Sequence, residues 1–72
     1  MTMEWIETPE SSNLERFGYE ASTMSLRVEF KSGGTYDYYD VPEQVFENMK
    51  AAPSKGSFLA QHIKGVYRYA RI

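Results

Sequence analysis

Cysteine is absent from the 72-residue chain. Its absence excludes disulfide bridges and zinc sites built from thiolates, and it agrees with a reducing cytoplasm. The chain also lacks the roughly 18 to 20 consecutive apolar residues that a membrane-spanning helix requires. Its first segment, MTMEWIETPESS, has no basic stretch followed by an apolar one, so it is not a secretory signal. We therefore expect a small cytoplasmic protein of bacterial type with no membrane partner.

Histidine occurs once, at position 62. A metal site needs companion ligands, and the sequence contains neither an HxxxH nor an HxxE pattern. No GxSxG motif surrounds a serine, and a chain of this length is small for a closed catalytic pocket. The sequence predicts no metal, no cofactor and no catalytic residue, and His62 is expected to pack beside Phe58 on a helix face. The nearness of Ser57 to His62 is the one feature that favours an enzyme instead.

Acidic residues are missing from the last third of the chain. Residues 1–47 carry all ten carboxylates and three cations, a balance of −7. Residues 48–72 carry five cations and no carboxylate, a balance of +5. Two interpretations stay open: the basic segment binds a polyanion, or the two halves attract each other within the fold.

Alternating apolar residues and turn signals predict an antiparallel meander. Residues 1–11 mix Pro, Ser, Thr and Glu and predict a flexible tail, which is followed by one domain over residues 12–72. The predicted strands cover about 12–20, 25–31 and 35–41. The first strand breaks the alternation, which predicts a bulge or twist near Gly18. The SGG sequence between the last two strands supplies the turn of a hairpin.

The second half of the chain has helical spacing. Apolar residues recur at helical intervals between Pro42 and Pro53, and Ser54 is a good N-cap for a second helix that Gly65 ends. The predicted elements are helices at about 42–52 and 54–64, then a short strand or extended segment at 66–71. The predicted fold class is α+β, a three-stranded antiparallel meander followed by two helices.

Three tyrosines stand close together in TYDYYDVP. Alternation places Tyr36 and Tyr38 on one face of the predicted strand and Tyr39 on the other. Tyr36 and Tyr38 either pack in the core or stack bases from an open sheet face. Because the helices must cover the aliphatic face of the neighbouring strand, we predict that these two belong to the core. Tyr39 is the better candidate for contact with a partner.

The start of the second predicted helix combines a cation, a glycine and a hydroxyl in Lys55, Gly56 and Ser57. Unpaired amides at a helix start favour anions, so a phosphate is one candidate ligand. The order KGS differs from the GxxxxGK[ST] of a Walker A loop. The alternative is a capped helix start with a surface lysine.

The last segment, VYRYARI, alternates aromatic and basic residues. Tyr67 and Tyr69 alternate with Arg68, and Arg71 follows. This pattern suits a single-stranded nucleic acid, through stacking and phosphate contact. It equally suits an edge strand that uses arginine against aggregation.

The chain resembles the KTSC domain family, named for a carboxy-terminal extension of some lysyl-tRNA synthetases. The resemblance covers residues 11–72 and is carried by SSN at 11–13, GY at 18–19, LRVEFKSGGTYDYYDVP at 26–42, VFENM at 45–49 and SKGSFLAQHIKGVYRY at 54–69. Glu20 stands where an aspartate is expected. The resemblance implies a stand-alone bacterial or phage domain of unknown function, with RNA or tRNA binding suggested by its attachment to the synthetase.

Two hypotheses of function follow from these residues. The first is a non-catalytic nucleic-acid module, with RNA or tRNA as its expected ligand, in which cations contact phosphate and tyrosines stack bases. Its candidate residues are Tyr39, Lys55, Gly56, Ser57, Lys64, Tyr67, Arg68, Tyr69 and Arg71. The second is a protein-interaction module or homodimer that uses Trp5, Tyr39 and the hairpin edge. A pI near 5.3 favours the second, because nucleic-acid binding domains are usually basic.

Overall fold

A computed structural model describes residues 3–72 as one five-stranded antiparallel sheet with two helices. The strands are β1 Glu4–Glu7, β2 Leu14–Glu20, β3 Ser25–Phe30, β4 Thr35–Tyr38 and β5 Tyr69–Arg71, and the helices are α1 Glu43–Ala51 and α2 Lys55–His62. Strands that are neighbours in the sheet are also neighbours in the sequence. The predicted α+β class, the central meander and both helices are confirmed. The segment after α2 forms the edge strand β5. The opposite edge of the sheet is formed by β1, a strand that the sequence did not predict.

Strand β1 is that additional strand, and it lies inside the segment predicted to be a flexible tail. It pairs with β2 from Glu4 opposite Tyr19 to Glu7 opposite Arg16. Thr8 follows, is buried, and donates its hydroxyl to the carbonyl of Leu14 at 2.9 Å. The tail prediction is therefore wrong for residues 4–7, because backbone pairing orders them. Met1 and Thr2, the start of that predicted tail, lie outside the described residues.

The irregularity in β2 lies between Leu14 and Arg16, not near Gly18 as predicted. The extra residue there changes the alternation, so that Leu14 and Phe17 both face inward although they are three residues apart. Gly18 has a different role. A Cβ at this position would lie 2.8 Å from Cε3 of Trp5, so the glycine lets the indole ring lie on the sheet.

The core fills the space between the helices and one face of the sheet. Its buried residues are Leu14, Phe17, Tyr19, Leu26, Val28, Tyr38, Val41, Phe46, Met49, Leu59 and Ile63. Phe46 of α1 makes an edge contact with Phe17 at 5.8 Å and stacks on Tyr19 at 5.0 Å. The Tyr19 hydroxyl donates to the Val41 carbonyl, which fixes the chain where it leaves the sheet for α1. Buried aromatic side chains thus supply stability that small domains often gain from disulfides, which this chain cannot form.

The turn and cap signals act largely as the sequence predicts. The Ser54 hydroxyl accepts a hydrogen bond from the Ser57 amide at 3.3 Å, so Ser54 is the N-cap of α2. Pro42 is the N-cap of α1, so the helix begins at Glu43, one residue later than predicted. Gly33 in the hairpin and Gly65 after α2 both have positive φ, at 107° and 78°. In the part of the chain that is described, no helix has the length and apolar character needed to cross a membrane.

Candidate nucleic-acid interface

The three neighbouring tyrosines divide between the two faces of the sheet. Tyr38 lies opposite Leu26 and Tyr36 opposite Val28, so both belong to the face that the helices cover. Tyr38 is 3% exposed, and Tyr36 is half-buried against the core. Tyr39 belongs to the opposite face, which we call the open face, and its amide donates to the Arg68 carbonyl at 2.8 Å. The predicted core position is confirmed for Tyr38, whereas Tyr36 lies at the edge of the core and packs against it.

The same two tyrosines also line a cleft, which we call the tyrosine cleft. It lies between β4, β5 and the residues that follow α2, and its volume is about 680 Å³. The side chains that give it its chemical character are Phe30, Tyr36, Tyr38, Lys64, Tyr69 and Arg71. This volume falls within the range of sites that hold small ligands, about 300–1,000 Å³.

The aromatic rings of the cleft form one continuous surface that extends from the core to the solvent. The Tyr69 ring centroid lies 5.6 Å from that of Tyr38 and 5.7 Å from that of Tyr36. Tyr69 is 59% exposed, in contrast to Tyr38. Burial, with a smaller contribution from Tyr69 and Tyr36, raises the pKa of the Tyr38 phenol. The cleft therefore presents the buried Tyr38 phenol and, beside it, an exposed ring on which a planar group can stack.

Two cations complete the tyrosine cleft. The Lys64 ammonium lies 5.4 Å from the Phe30 ring centroid, and the Arg71 guanidinium carbon lies 6.0 Å from that of Tyr36. Among residues 3–72 neither cation takes part in an ion pair, and no Asp or Glu side chain lines the cleft. The cleft thus combines positive charge with aromatic rings, which is the combination that single-stranded nucleic acids bind.

The open face differs because its arginines are already paired. Arg27 holds the Asp37 carboxylate with two hydrogen bonds, of 2.7 and 3.0 Å. Arg16 holds Glu29 in the same way, at 3.0 and 3.1 Å. These hydrogen bonds raise the pKa of both arginines, so their charges are fixed and locally neutralised. An anion on this face would compete with built-in carboxylates.

The start of α2 is occupied by contacts within the chain. The Lys55 ammonium donates to the Ala52 carbonyl at 3.0 Å, and the Ser57 amide bonds to the Ser54 hydroxyl. A Cβ at Gly56 would lie 2.9 Å from Oδ1 of Asn13, so the group that approaches this glycine is the loop before β2. These contacts support the capped-helix interpretation of the segment.

The structure separates the nine predicted binding residues into three groups. Lys64, Tyr69 and Arg71 lie together in the tyrosine cleft. Lys55, Gly56 and Ser57 border a second cleft of about 530 Å³ beside the loop before β2. Tyr39, Tyr67 and Arg68 line a shallow hollow next to Val66, and Tyr69 borders this hollow as well as the cleft. Their roles in binding stay predictions. The sequence did not identify Phe30, Tyr36 and Tyr38 as lining residues, because the pairing that places Tyr69 beside them has no local signal.

The histidine lies outside all three groups. His62 is exposed, and its ring centroid lies 4.7 Å from that of Phe58, as the helical spacing predicts. Within residues 3–72, no three acidic, histidine or cysteine side chains converge in a way that could hold a metal ion.

Comparisons with known proteins show which family the chain resembles. A family model described as KTSC domain matches residues 10–67. The chain is 41% identical over 64 residues to a lysine–tRNA ligase of Nostoc punctiforme, a match that covers 89% of the chain and 11% of the ligase. It is also 41% identical over 59 residues to a protein of Tsukamurella paurometabola, covering 82% of the chain and 88% of that relative.

A solved structure extends this similarity to the fold. The crystal structure of a KTSC domain protein from Yersinia pestis matches with a TM-score of 0.91 and 34% identity, over 99% of both chains. The chain therefore corresponds to about one-tenth of the ligase and to nearly the whole of the small proteins. The chain belongs to the KTSC domain family.

Proposed function

We propose that this KTSC domain is a non-catalytic, cytoplasmic RNA-binding module and that the tyrosine cleft is its contact surface. The observation that carries the proposal is the meeting of three tyrosines and two unpaired cations in a cleft without carboxylates. Tyrosine rings stack on the faces of bases, and lysine and arginine contact the phosphates between them. The similarity to part of a lysine–tRNA ligase supports tRNA as the first ligand to test.

The low pI does not oppose this proposal once the charges are located. Most nucleic-acid binding domains are basic overall, whereas this chain has a net charge of −2. The carboxylates Glu29 and Asp37 lie on the open face, where arginines neutralise them. An RNA strand in the tyrosine cleft is separated from them by the sheet itself. Local charge, not the net value, therefore decides whether a phosphate can approach.

The test is an amide-resolved NMR titration of the protein with bulk tRNA at low and at moderate salt. We expect saturable shifts around β4, β5 and residues 64–65 that fade as salt increases. With two cations contacting a single strand, the logarithm of affinity should fall with a slope of about −1.4 against the logarithm of salt concentration. Shifts confined to the open face would contradict the assignment of the site.

A matched pair of variants separates the cleft from general electrostatics. Lys64→Gln/Arg71→Gln removes both cations of the cleft, whereas Lys55→Gln/Arg68→Gln removes the same charge elsewhere. We expect the first variant to lose most of the affinity and of the salt dependence, and the second to keep both. Equal losses would mean that the cleft has no special role, and retained affinity in both would refute the proposal.

The exposed residues of the last segment support a second candidate function. Val66, Tyr69 and Ile72 are large, apolar and exposed, and β5 is an edge strand of the sheet. We propose, as the alternative, protein–protein interaction or homodimerisation through this edge. Sedimentation over a range of protein concentrations tests it, because a dimer should appear as concentration rises. A monomer mass that stays constant over this range would exclude homodimerisation.

A further inference from the structure

We infer that the tyrosine cleft accommodates one unpaired nucleotide of a single strand and discriminates against a base-paired duplex. This inference rests on the proposed function and specifies its ligand. Three features of the cleft carry it: the arrangement of the rings, the unpartnered phenol groups and the number of cations.

The rings are arranged for access to the face of a base. Tyr38 is buried in the floor of the cleft, and Tyr69 is the exposed ring beside it, inclined at 37°. In a duplex, each base face is covered by its neighbours in the stack, and only the base edges are reachable. A stacking contact with Tyr69 therefore requires a base that is free of the duplex.

The phenol groups of the cleft are available for hydrogen bonding. In the part of the chain that the structure describes, Tyr19 is the tyrosine whose hydroxyl bonds to another residue, at the Val41 carbonyl. The hydroxyls of Tyr36, Tyr38 and Tyr69 form no such bond within residues 3–72, and none of them is a buried unpaired group. A phenol can donate or accept, so these groups match the edge of a splayed base or a ribose hydroxyl.

The number of cations limits the length of the contact. Lys64 and Arg71 are the cations that line the cleft, whereas Arg68 lies near the open face, 3.0 Å from the carboxylate of Asp40. Duplex binding generally uses a row of phosphate contacts spread along the helix. Two cations beside one aromatic surface instead fit the two phosphates that flank a single nucleotide. The predicted footprint is therefore short.

The experiment compares a short mixed-sequence RNA, fluorescently labelled, with the same RNA annealed to its complement. Anisotropy at one fixed salt concentration gives both affinities. We expect the duplex to bind about tenfold more weakly, the factor that corresponds to the loss of one base–aromatic stack. Equal affinities would overturn this inference and leave the proposed function intact. No binding to either RNA, together with a silent tRNA titration, would overturn both.

Variants of Tyr69 test the stacking directly, and its exposure makes them compatible with folding. Tyr69→Leu should weaken single-strand binding about tenfold, and Tyr69→Phe should stay within about threefold because the ring remains. Trp5→Leu removes an aromatic ring on the open face, outside the cleft, so it is the control and should bind as the wild type does. A Tyr69→Leu variant with unchanged affinity would overturn the inference.

Trp5 provides an independent report from the opposite side of the sheet. It lies against Gly18 on the open face, away from the cleft. Its fluorescence should not change when RNA binds in the cleft. Strong quenching of Trp5 would place the base on the other face and overturn the inference.

Discussion

The two faces of the sheet are built from adjacent residues of the same strands, yet they have opposite chemistry. One row across the sheet runs through Tyr19, Leu26 and Tyr38, which are all buried under the helices. The neighbouring row has its side chains on the open face. It contains Arg27 of β3 and Asp37 of β4, which form an ion pair. The helix-covered face thus holds rings and ends in a cleft with unpaired cations, whereas the open face holds cations that are already neutralised.

This difference shows that pairing, and not the count of charges, decides which cations can bind a ligand. Lys50 of the basic segment bonds to Glu4, and Arg68 bonds to Asp40, so part of the charge asymmetry is used within the fold. Lys64 and Arg71 have no such partner among the described residues. The two interpretations of the asymmetry therefore apply to different residues. Attraction between the halves accounts for the first pair, and the proposed polyanion site uses the second.

The first prediction has the largest expected effect on the free energy of unfolding. It compares alanine substitutions at two neighbouring positions, Tyr38 on the covered face and Tyr39 on the open face. Tyr38→Ala removes a ring that is 3% exposed and should cost about 3 kcal/mol or more of unfolding free energy. Tyr39→Ala removes a half-exposed ring that lies 5.8 Å from the Arg68 guanidinium and should cost about 1 kcal/mol or less. Urea unfolding followed by circular dichroism measures both.

A chain of this size has a small total stability, so Tyr38→Ala can fail to fold at all. That result agrees with the prediction, and Tyr38→Leu then supplies a milder variant that should still lose more stability than Tyr39→Ala. Similar losses for the substitutions at both positions would contradict the division of the tyrosines between core and surface.

Local sequence signals account for the meander and the helices but not for the tyrosine cleft. Alternation in SLRVEF and the cap at Ser54 are properties of neighbouring residues, and they predicted β3 and the start of α2. The sequence does not predict strand β1, because the Trp5 indole packs in the space that Gly18 leaves in another strand. No residue near Trp5 in the sequence signals this contact. The cleft was missed because it depends on the register of β5, which sets Tyr69 opposite Tyr38 and is fixed by tertiary contacts.

The second prediction compares two ion pairs near the open face. Arg27→Met leaves the Asp37 carboxylate, whose side chain is 13% exposed, without its bidentate partner. We expect a loss of about 1–2 kcal/mol, less than for a fully buried pair because solvent still screens the site. Arg68→Met breaks a pair in which the side chains are 79% and 74% exposed, and it should have almost no effect. Thermal unfolding at low salt measures both, and an equal loss would contradict the ranking.

The third prediction compares two glycines, one on each face of the sheet, that each lie close to an aromatic ring. Gly18→Ala places a methyl group 2.8 Å from Cε3 of Trp5, so the indole must move. We expect a loss of about 1 kcal/mol and a red shift of tryptophan emission. Gly34→Ala is the matched variant beside the cleft, where the methyl group would lie 3.2 Å from Cε1 of Tyr36. It should cost less and leave the emission unchanged. An unshifted emission in Gly18→Ala would show that Trp5 does not lie on the sheet.

The fourth prediction has the smallest expected effect, a loss of unfolding free energy linked to the ionisation of Tyr38. The loss is absent at neutral pH and appears only at alkaline pH. Burial raises the pKa of Tyr38 above its ordinary value of 10.0, so the unfolded chain loses this proton at a lower pH than the folded chain. The resulting stability is complete below about pH 10 and declines as pH rises through the folded-state pKa. Arg27 should not contribute, because the hydrogen bonds that it donates to Asp37 raise its pKa further above its already high value.

Tyr38→Phe removes the titrating phenol and keeps the buried ring, so its stability should fall less between neutral and alkaline pH than that of the wild type. Urea midpoints measured at neutral pH and above pH 10 give the comparison. Because Tyr19 is buried as well and its pKa is also raised, part of the alkaline loss should persist in this variant. A Tyr38→Phe protein with the full wild-type decline would contradict a raised pKa of Tyr38 in the folded protein.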